Sequence, residues 1–381
     1  MPETNVRTIV LPLPGDAGPG DGVGLCLSGG GYRAMLFHLG ALWRLNELGY
    51  LPKLTRVSSV SGGSITAGVL GLKWKDLQFA GGVASNLELV VEPVMELAGR
   101  SVHVPAILKG VFGPGNVADQ VAKAYQKHLY GDASLRDLPL DADGPRFVFN
   151  AANLQSGALF RFSRPYLADY RVGMVKDPDT LLATAVAASS AFPPFLSPAR
   201  LKFKAGQWED STEGADLTGG KYRTDVKLTD GGVYDNLGIE TVWKKYRTVL
   251  VSDAGGKTGA EAKPPADWLR QTRRVLDVID NQVRSLRKRQ VIDSFKANER
   301  AGTYWGIRTQ IADYGLPSAW PCDPERTMQL ARVKTGLAKL DRTTQERLVN
   351  WGYAVSDAAM RTWVTPGADA PEKVPFPGSA I

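Results

Sequence analysis

Short apolar runs that end in glycine, serine or aspartate recur through residues 22–255 of this chain. Runs of about four to eight apolar residues bounded by turn residues are typical of buried strands, and apolar residues spaced three and four apart are typical of amphipathic helices. The two patterns alternate along the chain, which favours a three-layer α/β/α sandwich with a mostly parallel central sheet. The predicted strands cover residues 23–28, 55–60, 146–151, 226–229 and 248–253.

The first two predicted strands each lead into a glycine-rich turn that precedes a helix. Gly29, Gly30 and Gly31 follow the first strand. Their N–H groups lie at a helix N-terminus, where unpaired donors and the helix dipole favour negative charge, so this loop can bind an oxyanion or a phosphate. The second strand runs into Ser61, which two glycines follow. This is the position of a nucleophile in a tight strand-to-helix turn.

Other interpretations of these two turns stay open at this level. Serines in strand-to-helix turns are often helix caps. Gly29, Gly31 and Ala34 also fit the dinucleotide-binding pattern G-x-G-x-x-G/A. That pattern needs an acidic residue at the end of the next strand, and the strand over residues 55–60 ends in serine with no Asp or Glu nearby. The missing acid disfavours the nucleotide interpretation.

An aspartate at a later strand end is a candidate base for Ser61. Asp230 follows the predicted strand over residues 226–229 and precedes two glycines, in a turn that lets its carboxylate reach a neighbour. In a Ser61–Asp230 dyad the carboxylate accepts the serine proton, the alkoxide attacks an ester carbonyl, and the glycine loop binds the oxyanion.

The histidines of the chain favour this dyad over a triad. All of them precede residue 129: His38, His103 and His128. A triad in the order serine, acid, histidine would need its acid between Ser61 and His128, where the carboxylates lie too close in sequence for the usual layout. His38 falls on the apolar side of a helix, which indicates packing. No cysteine or carboxylate stands at ligand spacing from the other two, so we expect neither a metal nor a cofactor.

The segments GGGYR at residues 29–33, SVSGGS at 59–64 and DGG at 230–232 occur in that order in the chain. This combination resembles the patatin-like phospholipase family, and residues 28–34 look especially like its bacterial members and its cytosolic phospholipase branch. Residues 187–195 are similar to the small-residue helix ending in Ala-x-Pro that the family places beside its active site. One departure is Ser59, where the family usually has glycine two residues before the nucleophile.

The resemblance implies a serine acyl hydrolase of phospholipase A or lysophospholipase type, with Ser61 and Asp230 as its dyad and Gly29, Gly30 and Gly31 as its oxyanion hole. It also favours Arg33 as the residue that holds the substrate phosphate, whereas the residue pattern alone equally allows a pairing with a structural carboxylate. Some bacterial relatives are effectors of antiphage defence that cyclic nucleotides switch on. The alternatives are therefore a ligand-gated effector phospholipase and a non-hydrolytic scaffold that binds lipid or nucleotide.

The 381 residues, 43% of them hydrophobic, are expected to form an extended arm over residues 1–22 and one patatin-like domain over residues 23–381, mainly helical after about residue 266. The two cysteines, Cys26 and Cys322, indicate no disulfide framework and a reducing compartment. No secretory signal or long apolar span is visible. We therefore expect a cytoplasmic protein that binds the inner membrane peripherally when active.

Three segments are candidate contact surfaces. The apolar residues 87–111 are either core or a membrane-facing lid, and the polar residues 209–221 are expected to form a surface loop or flap. The helical segment over residues 268–300 carries nine basic and four acidic residues, hence +5 of the chain's formal +7. That charge suits a solvated face, a phospholipid membrane surface or a small acidic ligand such as a cyclic nucleotide, and a homo-oligomer is a further candidate. We expect no binding of a nucleic acid polymer.

Overall fold

The computed structural model describes residues 19–102, 106, 116–210 and 214–381. The predicted arm lies outside these residues except for its last four positions, and Gly20 already belongs to the first strand. The described strands are β1 (Gly20–Leu27), β2 (Leu54–Val60), β3 (Phe79–Ala80), β4 (Val83–Ala84), β5 (Arg146–Asn153), β6 (Leu159–Phe162), β7 (Tyr166–Asp169), β8 (Gly173–Lys176), β9 (Ala199–Lys202), β10 (Asp225–Asp230), β11 (Tyr246–Asp253) and β12 (Ala301–Gly306).

The described α-helices lie between these strands and after them. They are α1 (Gly31–Glu47), α2 (Gly62–Lys73), α3 (Glu88–Ala98), α4 (Val117–Tyr125), α5 (Leu182–Ser189), α6 (Gly220–Arg223), α7 (Gly232–Asp235), α8 (Glu240–Trp243), α9 (Trp268–Lys296), α10 (Pro324–Leu330) and α11 (Arg342–Trp363).

The central part of the main sheet is parallel. Its strands lie in the order β12, β11, β1, β2 and β5, each parallel to its neighbours. Beyond β5 the sheet continues through β6, β7 and β8 with antiparallel pairing. Strand β10 also pairs antiparallel with the end of β5, and β9 pairs with β10. The predicted α/β/α fold with its mostly parallel central sheet is confirmed, and the five predicted strands all belong to this sheet.

Helix α11 is an integral part of the fold and packs against α1. A Cβ atom added to Gly40 would come within 1.9 Å of the Val349 carbonyl, and one added to Gly352 would come within 1.9 Å of the Phe37 carbonyl. Only glycine at both positions lets the two helix backbones approach this closely. Trp351 is fully buried beside this crossing, and its indole donates to the Ile307 carbonyl at 2.9 Å.

The apolar segment over residues 87–111 belongs to the core where it is described. Helix α3 buries Val90, Val94 and Leu97 almost completely, so the lid interpretation is wrong for this helix. Residues 103–105 and 107–111 lie outside the described residues. The predicted polar loop is described at residues 209–210 and 214–221, where most positions are exposed, and its intervening residues lie outside the described part.

The long helix α9 presents several apolar side chains to solvent, and some of its basic side chains pair with acidic residues of other elements. Arg284 pairs with Asp253 at 3.3 Å, and Arg287 pairs with Glu240 at 3.0 Å. On the exposed side Trp268 is 78% accessible. Within the predicted basic surface, Arg284 and Arg287 are used in these ion pairs, whereas Arg289 and Lys296 are exposed, so its role as a contact surface stays a prediction. The other exposed apolar side chains of α9 are Val275, Leu276, Val278, Ile279 and Leu286.

Candidate active site

Ser61 occupies a strained turn between β2 and α2. Its φ of 52° and ψ of −119° place a residue with a side chain in a region that L-residues rarely adopt. The next two residues must be glycine. A Cβ on Gly62 would lie 2.1 Å from the Gly31 carbonyl oxygen, and one on Gly63 would lie 2.5 Å from that of Leu27. The turn thus brings Ser61 against the glycine loop after β1.

A buried network of serine hydroxyls supports this turn. Ser189, at the end of α5, accepts a hydrogen bond from the Ser61 N–H at 3.0 Å and donates to the Asn150 carbonyl at 2.7 Å. The Ser64 hydroxyl lies 2.9 Å from that of Ser189 and 3.0 Å from that of Ser59. The departure from the family pattern at residue 59 therefore supplies one more member of this network.

Asp230 lies at the end of β10 and faces the serine turn. It is 2% exposed, and its Oδ1 accepts the N–H of Gly232 at 2.7 Å. Burial raises the pKa of Asp230 to about 7, although hydrogen bonds from Gly232 and from the Ser61 side chain oppose the rise. Asp230 therefore lies close enough to the predicted nucleophile for the Ser61 side chain to favour its ionised form.

The glycine loop lies beside Ser61 but offers fewer donors than predicted. The Gly29 N–H is already bound to the Asn236 carbonyl at 3.1 Å, so Gly29 is wrong as an oxyanion donor. Among the described residues, the N–H groups of Gly30 and Gly31 have no acceptor. Their φ values of 143° and 58° require glycine and direct the loop into the N-terminus of α1. Two of the three predicted donors can therefore meet an oxyanion.

Arg33 does not have the free guanidinium that a phosphate ligand needs. The side chain is 2% exposed. Its Nε and Nη2 donate to the Ala254 carbonyl at 3.2 and 2.7 Å, and its Nη1 donates to the carbonyls of Ala331 and Val333 at 3.0 and 2.8 Å. The predicted phosphate role of Arg33 is wrong, because its guanidinium N–H groups already donate to these carbonyls. The bonds hold two sequence-distant loops against α1.

The His38 ring bonds the residue before the glycine loop and forms no hydrogen bond with Ser61 or Asp230. Its Nε2 lies 2.9 Å from the Ser28 carbonyl, and its Nδ1 lies 2.7 Å from the Ser252 hydroxyl. Since a carbonyl only accepts, Nε2 carries the proton and Nδ1 accepts from the serine. Burial lowers the pKa of His38 to about 4, so the ring stays neutral. His128 makes no described contact with either member of the dyad, and His103 lies outside the described residues.

A cavity of about 920 Å³ opens over Ser61. One wall is apolar and comes from the predicted Ala-x-Pro segment, with Phe192 55% and Phe195 61% exposed. The other walls come from residues 256–260 and 331–337. No motif in the sequence marked these two loops as parts of the site. They reach it only because α11 and β12 pack on the parallel sheet.

Comparison with known proteins agrees with this geometry. The sequence matches the model of the family described as patatin-like phospholipase over residues 25–243, which is more than half of the chain. The chain belongs to the patatin-like phospholipase family. The matched range holds the glycine loop, Ser61 and Asp230, whereas the two loops that form the other cavity walls lie beyond it.

Several solved structures are similar to this patatin-like chain. A human GIVD cytosolic phospholipase A2 structure is 16% identical, with a TM-score of 0.42, and the match covers 61% of this chain and 45% of that one. The same human enzyme with methyl gamma-linolenyl fluorophosphonate is 15% identical, with a TM-score of 0.49 and coverage of 89% and 57%. VipD from Legionella pneumophila is 16% identical, with a TM-score of 0.37 and coverage of 88% and 66%. The patatin-like chain thus spans less than two thirds of each of these proteins, and no curated protein matches it.

Proposed function

We propose that the protein is a serine acyl hydrolase that cleaves fatty-acyl esters of phospholipids or lysophospholipids. The observation that carries this proposal is the placement of a buried Asp230 beside Ser61: a strained turn holds the serine, and burial raises the pKa of the carboxyl to about 7. A carboxylate with a pKa near neutrality is a far better base for a serine hydroxyl than an ordinary aspartate, and it is still ionised in a useful fraction of molecules.

The reaction that follows needs no group beyond the dyad, the glycine loop and water. Asp230 takes the Ser61 proton as the serine oxygen attacks the ester carbonyl carbon, and the N–H groups of Gly30 and Gly31 bind the oxyanion. The alcohol leaves with the proton from Asp230 and an acyl-enzyme remains. Asp230 then takes a proton from water, whose oxygen attacks the acyl carbon, and Ser61 is regained with release of the fatty acid.

The apolar wall of the cavity supports an acyl chain as the group that is bound. Phe192, Phe195 and Leu196 line this wall, and the two phenyl rings are largely accessible from the cavity side or from solvent. Exposed aromatic side chains of this kind favour a ligand that covers them. A hydrocarbon chain beside Ser61 would do so.

We also propose that the protein meets its lipid at a membrane surface through α9. This helix lies against one wall of the cavity, since the Thr258 hydroxyl donates to the Asp277 carbonyl at 3.0 Å and Arg274 donates to the Gly259 carbonyl at 2.7 Å. Its outer side presents Trp268 and Ile279 to solvent. Such a face suits insertion at the boundary between headgroups and acyl chains. None of the described helices is both long and apolar enough to cross a bilayer.

Lipid mass spectrometry after incubation with mixed phospholipid vesicles tests the activity. We expect release of free fatty acid and lysophospholipid by the wild type and its loss in Ser61→Ala, with Ser85→Ala on the surface as the matched control. Fatty acid release by Ser61→Ala at the wild-type rate would rule out the proposed nucleophile. Absence of release by wild type, together with no turnover of p-nitrophenyl butyrate, would favour the non-hydrolytic scaffold.

A further inference from the structure

The cavity over Ser61 carries an excess of positive charge that no described carboxylate balances. Lys257, Arg308, Arg332 and Lys334 all line it, and none of them forms an ion pair with a described residue. Asp253, a buried acid nearby, already has other partners. It pairs with Arg284 at 3.3 Å and accepts the Tyr304 hydroxyl at 2.8 Å. Four cations around one cavity without an internal counter-charge favour an anionic ligand.

Arg308 is the innermost of these cations and is poorly satisfied. Its Nε is buried without a hydrogen-bond partner. Its Nη1 and Nη2 make only long contacts, to the Met328 sulfur and to the Ala331 carbonyl, each at 3.3 Å. Burial and repulsion from Arg284 and Arg332 lower the pKa of Arg308. Each Nη group carries two hydrogens and each of these contacts uses one, so Arg308 keeps N–H donors for an anionic ligand.

Arg33, which the family resemblance favoured as the phosphate ligand, bonds the protein backbone instead. The Arg33 guanidinium bonds backbone carbonyls of residues 254, 331 and 333. By binding the 331–333 segment, it holds Arg332 and Lys334 at the edge of the cavity. Arg33 therefore supports Arg332 and Lys334, which lie far from it in sequence.

We propose that Arg308 and Arg332, with Lys257 and Lys334 at the rim, bind the phosphate group of the acyl substrate. The apolar wall at Phe192 and Phe195 belongs to the same cavity and takes the acyl chain, so the cavity fits an amphiphile with one anionic end. This inference rests on the proposed acyl hydrolase activity. It assigns phosphate recognition to a part of the chain beyond the family match.

Paired substrates test the proposal. Initial rates are measured with dihexanoylphosphatidylcholine below its critical micelle concentration and with p-nitrophenyl butyrate, which is neutral. Arg332→Gln removes an exposed cation and Arg308→Gln an inner one. For each we expect kcat/KM on the phospholipid to fall about tenfold to a hundredfold, as for a charge-assisted hydrogen bond, with little change on the neutral ester. Lys334→Gln provides a third variant if Arg308→Gln fails to fold. Arg247→Gln, on β11 at the end remote from Ser61, is the matched control.

Equal losses on both substrates, or none on either, would overturn the phosphate subsite. The proposed function fails on a separate result, namely ester turnover that is unchanged in Ser61→Ala. A free ligand is the other source of a phosphate group, and a cyclic dinucleotide is its probe. Thermal stabilisation of the wild type by this probe, lost in Arg332→Gln while phospholipid kinetics stay unchanged, would assign the cations to a free ligand and overturn the substrate role.

Discussion

The Ser61 N–H and the Ser189 hydroxyl are joined by a hydrogen bond of 3.0 Å, across 128 residues of sequence. Ser189 also donates to the Asn150 carbonyl, which belongs to the strand beside the nucleophile strand. The helix end that precedes the apolar cavity wall thus fixes the strained turn of the nucleophile. The family-like segment over residues 187–195 therefore both supports this turn and lines the cavity.

Replacing this link is expected to loosen the nucleophile. In Ser189→Ala the Ser61 N–H and the Asn150 carbonyl lose a buried partner, so we expect a stability loss of about 1–3 kcal/mol in urea unfolding. We also expect kcat on p-nitrophenyl butyrate to fall more than KM changes, since a displaced nucleophile affects the transition state above all. Ser163→Ala removes a similarly buried hydroxyl that bonds the Tyr166 carbonyl far from the dyad. A kcat in Ser189→Ala equal to that of this control would contradict the positioning role.

The pH dependence of hydrolysis should follow Asp230. Only the ionised carboxylate accepts the Ser61 proton, and its pKa is raised to about 7. On a neutral ester we therefore expect kcat/KM to rise with pH through about 7 and then to level off. His38 has a pKa lowered to about 4, so His38→Gln should keep the same inflection. An inflection that moves or disappears in His38→Gln would restore a histidine to the mechanism.

Asp230→Asn should abolish turnover and stabilise the fold at alkaline pH. The unfolded aspartate ionises near 3.8, whereas the folded one ionises near 7. Between these values the folded state holds a proton that the unfolded state has lost, so stability falls as pH rises through this window and stays lower above it. The amide carries no such penalty. We expect a gain of up to about 4 kcal/mol at pH 8, from roughly three pKa units at 1.36 kcal/mol each.

The gain in Asp230→Asn should vanish below the window. Urea unfolding at pH 8 and at pH 3 measures both limits. Similar stability of the variant and the wild type at both pH values would show that burial does not raise the pKa of the Asp230 carboxyl. Asp235→Asn is an instructive comparison, because its carboxyl is also buried but lies 3.6 Å from Arg287, so neutralising it leaves a cation without its partner.

Membrane binding should depend on the apolar side of α9 more than on its charge. Trp268→Ser and Ile279→Ser each remove an exposed apolar group, worth roughly 1.5–3 kcal/mol if fully buried in lipid, so we expect about tenfold weaker binding to vesicles in sedimentation assays. Arg289→Gln, an exposed basic site on the same helix, should change binding little. A steep fall of wild-type binding with salt, together with wild-type affinity in Trp268→Ser, would instead favour charge as the main contact. Hydrolysis of a soluble ester should be equal in all of these variants.

The glycine-rich turns at Ser61 and Asp230 could be predicted because local backbone geometry requires a recognisable sequence pattern around each residue. The Ser61 turn excludes any Cβ at Gly62 and Gly63, and the turn after Asp230 excludes one at Gly231, where it would lie 2.3 Å from the Asn150 carbonyl. Steric demands of this kind act within a few residues, so they are visible in the sequence. The parallel strands were visible for a similar reason, since burial on both faces makes them nearly continuous apolar runs.

The errors concern residues whose partners lie far away in sequence. Nothing near Arg33 indicates that carbonyls about 220 and 300 residues later will use its donors. Likewise the charge of α9 looked free because Asp253, the partner of Arg284, belongs to another element. The edge strand β12 and the antiparallel strands β6 to β9 are short, and their polar residues weaken the apolar pattern. Partners that lie so far apart in sequence can be identified only from the three-dimensional structure.

The close crossing of α1 and α11 at Gly40 and Gly352 limits where the gene can be divided without loss of packing around α1. A fragment that ends at residue 243 would encode the nucleophile, the base and the glycine loop. It would lack the strand that pairs with β1 on the side away from β2, the helix that covers α1, and every carbonyl that anchors Arg33. The unit that folds around Ser61 is therefore longer than the segment that the family model matches, and recombination between relatives at residue 243 would separate this serine from the scaffold that holds it.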